Sequence, residues 1–202
     1  MANVVLFHSA LGLRPGVHAA ADLLRGAGHA VHTPDYFDGE VFDDLDAGLV
    51  KRDMLGYPEI MRRGLAAVED LPAALVVAGF SLGTGPAETV ALGRPGVRAA
   101  VLLHGALPVG EFGAEERWPA GVPVQVHWAA RDPWVDAGEV ADLRADVERA
   151  GAAFDSFTYP GDGHLFTDPD LAEHDEAATA ALWERVLAFL ARVDGSENQR
   201  AR

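Results

Sequence analysis

Ala74-Leu75-Val76-Val77-Ala78-Gly79-Phe80-Ser81-Leu82-Gly83 decides how this chain is read. An unbroken apolar run leads into Gly-x-Ser-x-Gly, and a helix-like run follows it. Apolar residues without polar alternation mark a strand buried on both faces. Gly-x-Ser-x-Gly between such a strand and a helix is a nucleophile elbow, a turn so tight that only glycine fits two residues either side of the serine. The serine hydroxyl is lifted off the sheet edge, and the helix N-terminus beneath it favours developing negative charge. The expectation is a hydrolase that passes through an acyl-serine.

The same alternation extends outward in both directions. Strands are predicted at Val4–His8, His29–Thr33, Leu75–Gly79, Ala99–His104, Val122–Trp128 and Phe154–Tyr159. Helices are predicted at Val17–Gly26, Ile60–Glu69, Leu82–Leu92, Ala137–Ala150 and Glu176–Val193. Strands of this kind alternating with helices imply a mainly parallel sheet covered on both faces, with its active site at the carboxyl ends of the strands. One domain over residues 1–193 is expected, followed by a polar, flexible tail at 194–202. The segment Tyr36–Leu55 reads as an irregular, acidic loop with aromatic pins, either solvated or shaping a substrate pocket.

Composition limits the function. The chain has 202 residues, enough for a sizeable core, and a formal net charge of -15. That acidity argues against nucleic acid or an anionic membrane as partner, because both require a basic face. There are no cysteines, which excludes disulfides, thiolate chemistry and Cys-based zinc sites. Met1-Ala2-Asn3 carries no basic region and runs straight into a short apolar strand, so a soluble cytoplasmic protein is expected.

A serine hydroxyl needs a base, usually a histidine held by a buried carboxylate. In the α/β-hydrolase order these follow as serine, acid, histidine. Asp132 sits in the turn after the fifth strand and His164 in a Gly-rich loop after the sixth. Either one alone reads equally as a turn residue or a surface histidine. Ser81, Asp132 and His164 in order, each just past a strand, read as nucleophile, orienting acid and general base. Asp136 is a rival acid, although its place before Ala137-Gly138-Glu139 also suits a helix cap. The backbone N–H groups of Ala10 and Leu82 are the expected oxyanion donors. His8, His104 and His127 all end strands on the same sheet edge, but no His-Glu-x-x-His spacing supports a metal, and neither metal nor cofactor is expected. Leu11, Tyr36, Phe37, Phe80, Phe112, Trp128, Trp134 and Phe166 lie near strand ends. Each suits a core, and together they outline an apolar pocket.

With these residues the chain resembles the dienelactone hydrolase family of α/β-hydrolases. The likeness rests on His8-Ser9-Ala10-Leu11-Gly12, Thr33-Pro34-Asp35-Tyr36-Phe37, the elbow, Arg131-Asp132 and Tyr159-Pro160-Gly161-Asp162-Gly163-His164-Leu165-Phe166. It implies a three-layer α/β-hydrolase fold without a large lid and a cofactor-free hydrolase of lactones or small esters. It maps nucleophile, acid and base onto Ser81, Asp132 and His164, and oxyanion donors onto Ala10 and Leu82. Ser81 stands where the dienelactone enzymes carry cysteine, and Ser9 where they carry a glutamate. Asp168 stands where they carry an arginine for the substrate carboxylate. A carboxylate there repels anions, so the expected substrate is a neutral or cationic ester, lactone or thioester, acted on by a monomer or small homo-oligomer. An acyltransferase or cyclase using the same acyl-serine, and a non-catalytic small-molecule-binding protein, are the competing readings.

Overall fold

Runs rich in valine, leucine and alanine form six strands: β1 (Asn3–Phe7), β2 (Ala30–His32), β3 (Leu75–Phe80), β4 (Val97–Leu103), β5 (Val124–Ala129) and β6 (Phe154–Tyr159). The helices between and after them are α1 (Pro15–Gly26), α2 (Leu45–Leu55), α3 (Tyr57–Ala66), α4 (Thr84–Gly93), α5 (Ala137–Arg149) and α6 (Glu176–Arg200). The computed structural model describes residues 1–200, with side chains through residue 195. All strand pairs are parallel, and the sheet order is β2-β1-β3-β4-β5-β6.

Side chains alternate across each strand, so each face of the sheet collects its own core. Val4 and Leu6 of β1 join Val76 and Ala78 of β3 against α1 and α6, with Leu24, Leu182 and Leu190 fully covered. Val5, Phe7 and Val77 face the other way, against Ile60 of α3, Val90 of α4 and Leu143 of α5. Helices on both faces make this a three-layer α/β-hydrolase fold. From β1 the strand order runs outward in both directions, leaving a switch point between β1 and β3 where ligand crevices form at the carboxyl ends.

Two elements differ from the sequence reading. The second half of the segment read as irregular is α2. The Asp44 carboxylate caps it by accepting from the Ala47 N–H at 2.8 Å, and Gly56, at φ 76°, ends it. The helix lacks an apolar stripe, since Gly48 is its one fully buried residue and Val50 and Met54 are exposed, so periodicity could not reveal it. Helix α6 continues into the expected tail as far as Arg200, and the Met1 ammonium donates to Asp194 Oδ2 at 2.6 Å. Residues 201 and 202 of that tail lie outside the described residues. No helix among the described residues is long and apolar enough to cross a membrane.

Leu182 fills the space between α6 and the sheet with no exposed surface. Leu182→Ala is expected to lower unfolding free energy by about 2–5 kcal/mol, read as a reduced urea midpoint with an unchanged slope.

Candidate active site

The elbow is built by backbone contact. A Cβ on Gly79 would lie 2.1 Å from the Gly83 carbonyl oxygen. A Cβ on Gly83 would lie 2.5 Å from the His8 carbonyl oxygen and 2.6 Å from that of Phe7. Neither glycine is needed for a positive φ; both are needed because β3, the turn and the end of β1 touch through their main chains. The strain falls on Ser81, which sits at φ 49°, a left-handed conformation costing about 1–2 kcal/mol in a residue with a side chain. A short 3₁₀ turn over Ser81–Gly83 then leads into α4.

Ser81, His164 and Asp132 form one hydrogen-bonded chain. The Ser81 hydroxyl lies 2.7 Å from His164 Nε2, and His164 Nδ1 lies 2.8 Å from Asp132 Oδ2. With its Nδ1–H donating to the carboxylate, the imidazole leaves Nε2 free to accept from the serine. The Asp132 carboxylate is wholly buried, and its Oδ1 accepts from the Trp134 N–H at 2.9 Å. The acid and histidine loops are also joined, because the Arg131 N–H donates to the Gly161 carbonyl at 3.0 Å. The rival Asp136 caps α5 through the Gly138 N–H at 2.6 Å.

One functional contact had no local sequence signal. The Glu173 carboxylate accepts from the backbone N–H of His164 at 2.8 Å and of Leu165 at 2.9 Å, fixing the loop that carries the imidazole. An acid amid other acids nine residues downstream gives no pattern to read.

Ala10 is buried at the cleft beside Ser81, and Leu82 follows the serine in the first turn, where backbone N–H groups lack helical partners. The loop carrying Ala10 is shaped by Ser9, whose hydroxyl accepts from the Leu11 N–H at 3.1 Å. Helix α2 backs onto it: a Cβ on Gly48 would lie 2.1 Å from the Ala10 carbonyl oxygen.

The cleft over Ser81 encloses about 160 Å³, with walls supplied by Leu45, Leu49 and Arg52 of α2, Met61 of α3, and Leu107. Of the aromatic and apolar residues expected to line it, Trp134 does so, its ring centroid 6.0 Å from that of His164. Leu11 is buried outside it. Tyr36 stacks on His8 at 3.7 Å, and Phe37 packs beside both. Phe80 and Phe166 belong to the core under α6, and Trp128 packs against the opposite core. Phe112 lines a neighbouring groove. Proximity to a strand end did not decide the matter, because Tyr36, Phe37, Phe80, Trp128 and Phe166 pack into the cores on the sheet faces rather than up over its edge.

Asp168 also differs from expectation. Its carboxylate accepts from Arg14 Nε at 3.2 Å, on a buried guanidinium that also binds Asp43 and the Phe42 carbonyl. It lies off the cleft wall and is paired, so it does not set the charge that a substrate meets. Arg52, Asp136 and Glu139 are the charged residues on that wall.

His8 and His104 directly follow β1 and β4, whereas His127 lies inside β5 and not at its end, and each is occupied separately. Nδ1 of His8 donates to the Ser9 carbonyl at 2.7 Å, and its Nε2 accepts from the Tyr36 N–H at 3.3 Å. His127 bridges Gln125 at 3.0 Å and the Tyr159 hydroxyl at 2.8 Å, and His104 Nε2 meets the Thr167 hydroxyl at 2.7 Å. Among the described residues no three His, Cys, Asp or Glu side chains stand together as a metal site. Burial pushes His8 down to about 4 and His127 to about 3, and holds His104 well below its ordinary value.

The fold and the elbow define an α/β-hydrolase, and comparison with known proteins places it more closely. The profile of the Dienelactone hydrolase family matches residues 1–194. The chain belongs to that family and is a hydrolase. A dienelactone hydrolase-like promiscuous phosphotriesterase from metagenomic libraries superposes with a TM-score of 0.74 at 22% identity, covering 96% of this chain and 87% of that one. Esterase 2 of Thermogutta terrifontis, phosphonylated by sarin, gives 0.70 at 14% identity, covering 95% and 84%. Mouse alpha/beta hydrolase domain-containing protein 10 gives 0.70 at 14% identity, covering 95% and 90%. No curated protein sequence matches the chain.

The neutral histidines make stability depend on pH. Below about pH 6.5 the unfolded imidazole binds a proton that folded His8 refuses until about 4 and folded His127 until about 3. Stability therefore falls with acidification below pH 6.5, by about 1.4 kcal/mol per pH unit for each group while only its unfolded form is protonated. Urea unfolding at pH 7, 6 and 5 is expected to show this decline. His127→Asn is expected to make it shallower by about 2 kcal/mol over the range, and an identical slope in the variant contradicts the assignment.

Proposed function

We propose that this protein hydrolyses a small ester, lactone or thioester through an acyl intermediate on Ser81, without a cofactor. The observation that carries the reading is the unbroken hydrogen-bond chain from Ser81 through His164 to a buried carboxylate, mounted on a strained elbow at the floor of a cleft.

Ser81 Oγ attacks the substrate carbonyl carbon as its proton passes to His164 Nε2. Asp132, whose other oxygen accepts from the Trp134 N–H, orients the imidazole and stabilises the imidazolium. The tetrahedral oxyanion lies between the N–H groups of Ala10 and Leu82. Its collapse breaks the bond to the leaving oxygen or sulfur, which takes the proton from His164. Water then attacks the acyl-serine, gives a proton to His164, and the acid departs as Ser81 recovers its hydrogen. With a lactone, the leaving hydroxyl stays on the acyl chain. Because Asp168 is paired with Arg14 and lies off the cleft wall, an anionic substrate is not barred on its account. An esterase phosphonylated by sarin on the same fold supports trapping by organophosphorus reagents as a test.

A fluorophosphonate probe is expected to label wild type at Ser81, and Ser81→Ala is expected to abolish labelling and lower kcat on p-nitrophenyl acetate by about 10⁴-fold or more. Labelling that persists in Ser81→Ala, or turnover of no ester, lactone or thioester, overturns the reading. Glu173 acts on the chemistry only by positioning His164. Glu173→Ala is expected to lower kcat by about tenfold with little change in KM, because two N–H groups lose their acceptor and the loop loosens.

A further inference from the structure

We infer that the acyl half of the substrate is a medium-length aliphatic chain, seated in an apolar groove that continues from the cleft between α3 and α4. The inference rests on the acyl-serine reading above and names the substrate class for it. The space over Ser81, about 160 Å³, takes the carbonyl and a few carbons. Beyond it opens a groove of about 670 Å³, lined by Leu65, Leu92 and Phe112. Tyr57, Met61 and Leu107 border both spaces, so the two adjoin at a junction that is largely apolar.

The groove is assigned to the acyl chain, not the leaving group, by where His164 stands. The leaving atom takes its proton from His164 Nε2 and must depart on that side. His164, Trp134 and Val135 line the cleft but no part of the groove. A chain on the opposite side of the scissile bond points toward Met61 and Leu107.

The junction is held rigidly. Leu107 is fixed by its N–H donating to the carboxyl of Glu88, a fully buried residue of α4, at 3.0 Å. The Met61 sulfur lies 3.0 Å from the Thr89 hydroxyl. Along the groove Tyr57 is 51% and Leu65 37% exposed, apolar surface that an alkyl chain would cover. Glu111 and Glu116 also line it, and they disfavour a chain ending in a second carboxylate.

The test is a series of p-nitrophenyl esters from acetyl to octanoyl, run on wild type, Leu65→Glu and Gly93→Phe. Leu65→Glu puts a charge in the groove. Gly93→Phe fills it without a clash at the backbone, since a Cβ there meets only Leu65 Cδ2 at 3.8 Å. Wild-type kcat/KM is expected to rise by about twofold or more per added methylene between butanoyl and octanoyl. Both variants are expected to lower the octanoyl-to-acetyl ratio by about tenfold. A wild-type rate that is flat or falling with chain length, or a ratio unchanged in both variants, overturns the groove assignment. If Ser81 still reacts with fluorophosphonate and acetyl ester is still turned over, only this inference falls. If neither occurs, the acyl-serine reading falls and the groove assignment with it.

Discussion

The close approach of three backbone segments at the end of β3 governs everything the site does. Gly79, Gly83 and the carbonyls of Phe7 and His8 stand within distances that no side chain at either glycine could tolerate. This contact joins the Ser81 turn to the end of β1, at the switch point of the sheet. It forces Ser81 to φ 49° and thereby keeps its hydroxyl above the sheet edge. The two cores supply the rigidity that sustains the strain, because Val5, Phe7 and Val77 lock β1 and β3 against the helices on one face while Leu6 and Ala78 do so on the other.

Around that point, polar groups are used in two different ways. Asp132, His164 and Ser81 share a directional chain whose carboxylate is buried and supported by a backbone N–H. His8 and His104 directly follow β1 and β4, His127 lies within β5, and all three are in neutral form, held by hydroxyl, amide and main-chain partners. Their side chains are buried, and desolvation disfavours the protonated imidazolium, which makes them poor proton acceptors. His164 has a carboxylate partner and borders the open cleft, a combination the other three do not share.

The cleft wall comes from elements remote in sequence from the elbow. Helix α2 reaches it because Gly48 allows main-chain contact with Ala10, and α3 reaches it because Gly64 lets the helix close on Pro86 of α4. These contacts bring Leu45, Leu49 and Met61 over Ser81 and leave the apolar groove open beside them. Two short helices thus shape the approach to the serine.

The amino-acid sequence by itself determined the layered parallel fold, the elbow and the order of Ser81, Asp132 and His164. Those features rest on local rules: continuous apolar strands, a glycine-bounded turn and loops that must emerge at one sheet edge. Tertiary structure alone decided the rest. Glu173 braces His164 through main-chain bonds, which leave no side-chain pattern to read. Asp168 turned out to be paired with Arg14, a partner far away along the chain. Tyr36, Phe37, Phe80 and Phe166 went to the core while Leu45, Leu49 and Met61 went to the cleft, because strand-end position does not state which way a side chain turns. Helix α2 escaped periodicity because it packs through a glycine instead of an apolar stripe. Chemistry that follows the local chain was legible, and the shape of the space around it was not, since that shape is made by surfaces that meet only when the chain has folded.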